Sequence, residues 1–165
     1  MIKIKTPLFN DEINDLKVAD MVLISGEIFT GRDRVLPKLT KIVEENNLDE
    51  LPFSLEGISI LHTAVSNAGI SPTSSNKPGI ESSIVPLSNA GVKIHIGKGK
   101  LSKSTIDNLN NGVFIITPSV AGLLTKTIIS KELVAYPEEG IEAIYKLKVK
   151  DFPGLVAVSN GESIF

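Results

Sequence analysis

The chain contains no cysteine and no tryptophan, and histidine occurs twice, as His62 and His95. Without cysteine it cannot form a disulfide, hold an iron–sulfur cluster through thiolates or use a cysteine nucleophile. Two histidines alone do not make a zinc site, so no metal ligand set is assigned and any metal chemistry must come from a partner chain. Neither sign of charge dominates, with 17 Lys and Arg against 19 Asp and Glu. A net charge of −2 gives no basic field for nucleic acid. No apolar run reaches the ~18 residues that span a bilayer. The opening MIKIKTPLFNDEINDLKV lacks the apolar core of a signal peptide. The expectation is a cytoplasmic protein with no nucleic-acid or membrane partner. Its 165 residues, 42% hydrophobic and 22% charged, fit one globular domain over residues 1–165.

Hydrophobic spacing predicts alternating strands and helices. Strands are expected over Ile2–Lys5, Asp20–Phe29, Ile58–Ala64, Val92–Ile96, Val113–Ile116, Leu133–Ala135, Lys146–Val149 and Leu155–Val158. Helices are expected over Asp33–Asn46, Ile80–Asn89, Ser102–Asn110, Ser119–Ser130 and Pro137–Tyr145. Pro86 should bend or shorten the second of these. Val65–Gly79 is rich in Ser, Asn, Gly and Pro and reads as a functional loop. The class is α/β, layered, with sites at strand ends.

Three polar groups could carry chemistry. The first lies in VLISGEIFTGRD, where a strand runs into Ser25-Gly26 and Thr30 and Arg32-Asp33 follow at a helix start. Gly lets a substrate approach the backbone, Thr or Asp can cap the helix, and Arg presents a fork suited to a carboxylate. The second is Ser71-Pro-Thr-Ser-Ser-Asn-Lys77, with hydroxyls at Thr73, Ser74 and Ser75, and Glu81 four residues on. The third is Gly97-Lys98-Gly99. Together they describe a site for a small anion with more than one carboxylate or phosphate. Each has a plainer reading: a surface Arg, a linker, a solvated turn lysine. Both histidines read as ordinary strand residues, with His95 facing away from the core.

These residues resemble a family over nearly the whole chain. KVADMVLISGEIFTGRD (Lys17–Asp33), VKIHIGKG (Val92–Gly99), SVAGLL (Ser119–Leu124) and PEEGIEAIYKLKVKDFPGLVAV (Pro137–Val158) are similar to segments of the β subunit, or C-terminal domain, of iron–sulfur hydro-lyases. That family includes class I fumarase and L-tartrate dehydratase. SPTSSNKP (Ser71–Pro78) stands where the family has Gly-Pro-Thr-Thr-Ser-x-Arg-Met, so Lys77 takes the place of the Arg. The family's His after Arg-Asp is missing, and Ser159 or Asn160 replaces an Asp.

The resemblance implies a swivelling β/β/α-type layered domain. It implies a four-iron four-sulfur cluster carried by a Cys-bearing α subunit and not by this chain. It further implies a substrate clamp for a small dicarboxylate or hydroxy acid, with fumarate and malate first. Arg32 would bind one carboxylate. Thr73, Ser74 and Lys77 would bind the other carboxylate or the hydroxyl, and Lys98 would add a donor. Gly26, Thr30 and Ser75 complete the expected substrate-binding set. Proton transfer maps onto Thr73 or Ser74. Tartrate or another hydroxy acid, and a non-catalytic anion-binding or regulatory module, remain alternative outcomes. Self-association into a homodimer stays open.

Overall fold

A computed structural model describes residues 1–118 and 120–165. Its strands are β1 (Ile2–Thr6), β2 (Met21–Thr30), β3 (Ser59–Leu61), β4 (Thr63–Ser66), β5 (Gly69–Pro72), β6 (Ile94–Gly97), β7 (Val113–Ile116), β8 (Ile128–Ala135), β9 (Ile144–Ser159) and β10 (Glu162–Ser163). Its α-helices are α1 (Leu36–Glu44), α2 (Pro78–Asn89), α3 (Lys103–Asn108) and α4 (Ala121–Thr125). Strands β2, β3, β6 and β7 run parallel in that spatial order. The long β9 is antiparallel to both β7 and β2, so the sheet closes into a barrel-like ring. Strand β1 lies beside β2, and β8 and β10 flank β9. The β4–β5 hairpin stands apart.

Strand alternation sorts side chains into two layers. Leu61, Ile94, Ile96, Val113 and Ile115 enter one apolar cluster with Ile24, Ile28, Leu147 and Phe152. The intervening Ile60 joins Leu36 and Leu39 of α1 and Ile80 and Leu87 of α2 in a second cluster. Phe114 joins Ile84, Leu109 and Val158 in a third. Strands buried on both faces lose the alternation of polar and apolar residues, which explains runs such as VFII. Helices therefore cover the outside of the sheet, in the layered α/β arrangement expected. None of the described helices is long and apolar enough to cross a membrane.

The elements depart from the expected ones at definite places. Helix α2 is not shortened by Pro86, which lies inside it, and it starts at Pro78, whose missing N–H costs nothing in the first turn. Of Ser119–Ser130, Ala121–Thr125 alone is α-helical; Ser119 lies outside the described residues. The β-branched pair Ile128–Ile129 instead begins β8, which pairs with β9 from Ile128 to Ala135. Pro137–Glu142 is a 3-10 segment interrupted at Gly140, where φ is +60°, and β9 begins at Ile144. The two closing strands are one, interrupted only by the irregularity at Lys150–Asp151, beyond which Phe152 pairs again with Ile24 and Pro153 with Leu23. The polar stretch Val65–Gly79 is largely a hairpin and a helix start rather than a free loop.

Candidate active site at the strand ends

The parallel strands β2, β3, β6 and β7 end side by side, and their hydrogen-bond ladder continues past the strands. Gly31 N–H donates to the Leu61 carbonyl at 3.0 Å, His62 N–H to Ile96 at 2.8 Å, and Thr117 N–H to Gly97 at 3.0 Å. The segment after β5 lies across these ends. Thr73 N–H donates to the His62 carbonyl at 2.9 Å, and Ser75 N–H to the Lys98 carbonyl at 2.9 Å. Ser74 and Lys98 form a short parallel bridge. Helix α2 then starts against the Arg32-Asp33 turn: a Cβ on Gly79 would stand 2.9 Å from the Asp33 Cβ. The backbones of Arg32, Thr73–Lys77 and Lys98, distant in sequence, are thus neighbours. The first turn of α2 presents its dipole here, but Pro78 has no N–H and the Ile80 and Glu81 N–H groups both donate to the Lys77 carbonyl at 2.9 Å.

Within this set the side chains differ in placement. Arg32 is 21% exposed and its Nε lies 3.8 Å from Glu142 Oε1. Thr73, Ser74 and Lys98 are half-buried, and Lys77 is exposed at the N-cap position of α2. Ser74 Oγ donates to Asn76 Oδ1 at 2.8 Å. Ser75 is fully buried, with its Oγ 2.6 Å from His62 Nδ1. Two cavities lie away from these strand ends, one beneath β1 around Ile4, Leu8 and Ile13, the other between the β4–β5 hairpin and β8. The strand-end residues are thus graded from buried Ser75 through half-buried Arg32, Thr73, Ser74 and Lys98 to exposed Asn76 and Lys77.

Two expected site residues occupy structural places instead. Gly26 is not at a strand end, because β2 continues to Thr30. Its φ of +112° brings β2 so close to β1 that a Cβ would strike the Thr6 carbonyl oxygen. Thr30 is buried; its Oγ1 accepts from Tyr145 N–H at 3.0 Å and donates to the Ala143 carbonyl at 3.5 Å. Neither Thr30 nor Asp33 caps α1, whose N-cap position is Val35 and carries no side-chain bond.

His95 also departs from its expected place. His95 is buried, not turned away from the core, and its Nε2 lies 2.5 Å from Ser88 Oγ. His62 is buried beside it, with ring centroids 6.2 Å apart, and its Nε2 has no partner among the described residues. Burial pushes both imidazoles down to about 3, and for His95 the neighbouring His62 pushes the same way. The signal that sequence reading missed is the alternation itself: in a strand covered on both faces, a polar residue between two Ile is as buried as they are. Glu81 is explained as structure. Burial alone would raise its carboxyl, but hydrogen bonds from Ser102 and Thr105 outweigh this and hold it below the usual range. Its Oε2 ties α2 to the start of α3.

Gly97 makes the close approach of the Thr73–Ser75 segment possible. A Cβ there would strike Ser75 Oγ and stand 2.9 Å from His62 Nδ1. Gly97→Ala is therefore expected to cost about 1–3 kcal/mol of stability through overpacking. Urea unfolding checks this; a change below about 0.5 kcal/mol would mean the segment gives way freely.

No described group of three His, Cys, Asp or Glu side chains could hold a metal ion. With no cysteine and both imidazoles engaged inside the chain, the donor set does not fit a four-iron cluster.

Comparison with known proteins decides the family. The model described as "Fumarase C-terminus" matches residues 1–165. The chain belongs to the fumarase C-terminal family. Among its relatives, the putative L(+)-tartrate dehydratase subunit beta of Methanocaldococcus jannaschii is 29% identical over 175 residues, covering 96% of this chain and 88% of that protein. The anaerobic class I fumarate hydratase of Escherichia coli is 31% identical over 160 residues, covering 90% of this chain but 29% of the hydratase. The L(+)-tartrate dehydratase subunit beta of Escherichia coli is 25% identical over 165 residues, covering 92% and 79%. The chain thus spans most of these two tartrate dehydratase β subunits but less than a third of that fumarate hydratase. Kinship with hydro-lyases is established by these matches.

Proposed function

We propose that this chain is the β subunit of a two-chain iron–sulfur hydro-lyase that interconverts an unsaturated dicarboxylate with its hydroxy acid, fumarate and malate being the leading pair. The observation that carries the proposal is the meeting of the Arg32 turn, the Thr73–Lys77 segment and Lys98 at adjacent strand ends. A partly exposed anion site of this kind needs a second surface to exclude water, and a Cys-bearing α subunit would supply it. The cluster, with its Lewis-acid activation of water, belongs to that α subunit.

The tasks left to this chain are binding, orientation and proton handling. Arg32 grips one carboxylate through paired N–H donors. Lys98 and Lys77 neutralise the other end, helped by the dipole of α2. Thr73 is the better proton carrier of the two hydroxyls, because the Ser74 proton is already given to Asn76. Ser75 holds the segment in place from below, and Gly26 and Thr30 shape β2. A second reading within the same chemistry has its own support. Lys77 in place of the family's Arg replaces a fork by a point charge, which suits tartrate or another hydroxy acid as substrate.

Purified alone, the chain is expected to be colourless, iron-free and inactive on fumarate and malate. Co-expressed with a Cys-bearing α subunit, it should form a complex that hydrates fumarate or dehydrates malate or tartrate. Stoichiometric iron on the isolated chain, or a stable complex inactive on all three acids, would overturn the proposal.

A further inference from the structure

Arg32 and Glu142 share an unusual arrangement. Arg32 Nε and Glu142 Oε1 are both sealed from solvent, and neither has a hydrogen-bond partner among the described residues. They face each other at 3.8 Å, too far for a hydrogen bond and close enough for an ion pair. The contact uses the Nε side of the guanidinium. The opposite end, with Nη1 and Nη2, forms no ion pair among the described residues.

Glu142 is itself held from two sides. Upstream, Glu139 pairs with Lys38 at 3.1 Å and Arg34 at 3.9 Å, which fastens the 3-10 segment to the start of α1. Downstream, Thr30 binds the carbonyl of Ala143 and the N–H of Tyr145. Thr30 lies two residues before Arg32, so the same stretch of β2 anchors both partners. Glu142 is a carboxylate fixed by the fold behind the guanidinium.

We propose that Glu142 is a positioning residue: it pins the Nε edge of Arg32 and leaves the Nη1–Nη2 fork directed at a ligand carboxylate. This rests on the reading of Arg32 as a carboxylate clamp. An arginine side chain has several rotatable bonds, and a ligand that must first immobilise them gives up affinity. A preset fork avoids that loss. The choice of Nε matters, because a carboxylate across the Nη1–Nη2 end would compete with the ligand for the same donors. The role also explains why Thr30 is buried and bonded rather than lining the site.

The first test needs neither partner nor substrate. Arg32 and Arg34 are the chain's two arginines, so the full chain labelled with 15N shows two Nε–H signals, assigned with Arg34→Lys. Arg34 is 68% exposed and serves as the internal reference. Hydrogen exchange at Arg32 Nε should be at least ~10-fold slower than at Arg34 in the wild type, and Glu142→Ala should remove that difference while leaving Arg34 unchanged. Should Glu142→Ala fail to fold, Glu142→Gln keeps the shape, removes the charge and should narrow the difference. Equal protection with and without Glu142 would overturn the proposal whatever the enzyme's activity.

The second test uses the complex and L-malate. Glu142→Ala should raise KM ~10-fold with little change in kcat. Combined with Arg32→Ala it should add less than ~2-fold to the loss from Arg32→Ala alone. Fully multiplying losses would mean that Glu142 acts independently of Arg32 and would overturn the positioning role. An inactive wild-type complex would count against the hydro-lyase reading and leave the exchange result standing.

Discussion

Arg32→Ala in the assembled complex is expected to lower kcat/KM by ~30-fold to ~1000-fold, or about 2–4 kcal/mol of transition-state stabilisation. Under the clamp reading, the magnitude is that of losing a charge-assisted, two-point contact to a carboxylate in a site closed by the proposed α subunit. Arg34 is the matched control. It lies two residues away, is 68% exposed, and its partner Glu139 also pairs with Lys38. Exposed pairs of that kind contribute little, so Arg34→Ala should leave the kinetics within about 2-fold. Arg32→Lys should recover only part of the loss, because an ammonium cannot reproduce the fork. Steady-state kinetics of the three variants decide the matter. If Arg32→Ala and Arg34→Ala behave alike, Arg32 is not part of the site and the clamp reading fails with it.

The strand framework was legible because burial on both faces leaves continuous apolar runs, as in VLIS, VFII and VAVS. The adjacency of the site segments was legible for a related reason. Parallel strands joined by helical connections bring their C-terminal ends together, so polar residues after β2, β3 and β6 had to meet. What escaped was set by tertiary contacts. Ile128–Ile129 reads as the tail of a helix until β9 is available to pair with it. Pro86 suggests an end, yet the helix continues to Asn89, with Ile80, Ile84 and Leu87 buried on its inner side. Glu142 is one acid among three in PEEGIE. Nothing local distinguishes the one that meets Arg32 from the two that meet Lys38, because the distinction arises from Gly140 turning the backbone between them.

The buried histidines make a second large prediction, for stability against pH. Both are held neutral in the folded chain, at about 3, against an ordinary value near 6.5. Between those values the unfolded chain binds more protons than the folded one, so stability rises with pH across that range. The contribution is fully present above about pH 6.5 and is lost as pH falls from there towards the folded value. Lowering pH from about 7.5 to about 5 should therefore cost about 2–4 kcal/mol for the two groups together, with uptake of up to about two protons on unfolding. Glu81, whose carboxyl is held below its usual range, contributes only at lower pH. Urea unfolding at the two pH values measures the difference directly, and replacing His95 by Asn, which keeps a polar group facing Ser88, should remove about half of it. Equal stability at both pH values would mean that the imidazoles accept protons inside the fold. Ser75 and Ser88 would then have to act as acceptors towards charged rings, and the packing that now presents the Thr73–Ser75 segment to the strand ends would have to admit water around His62.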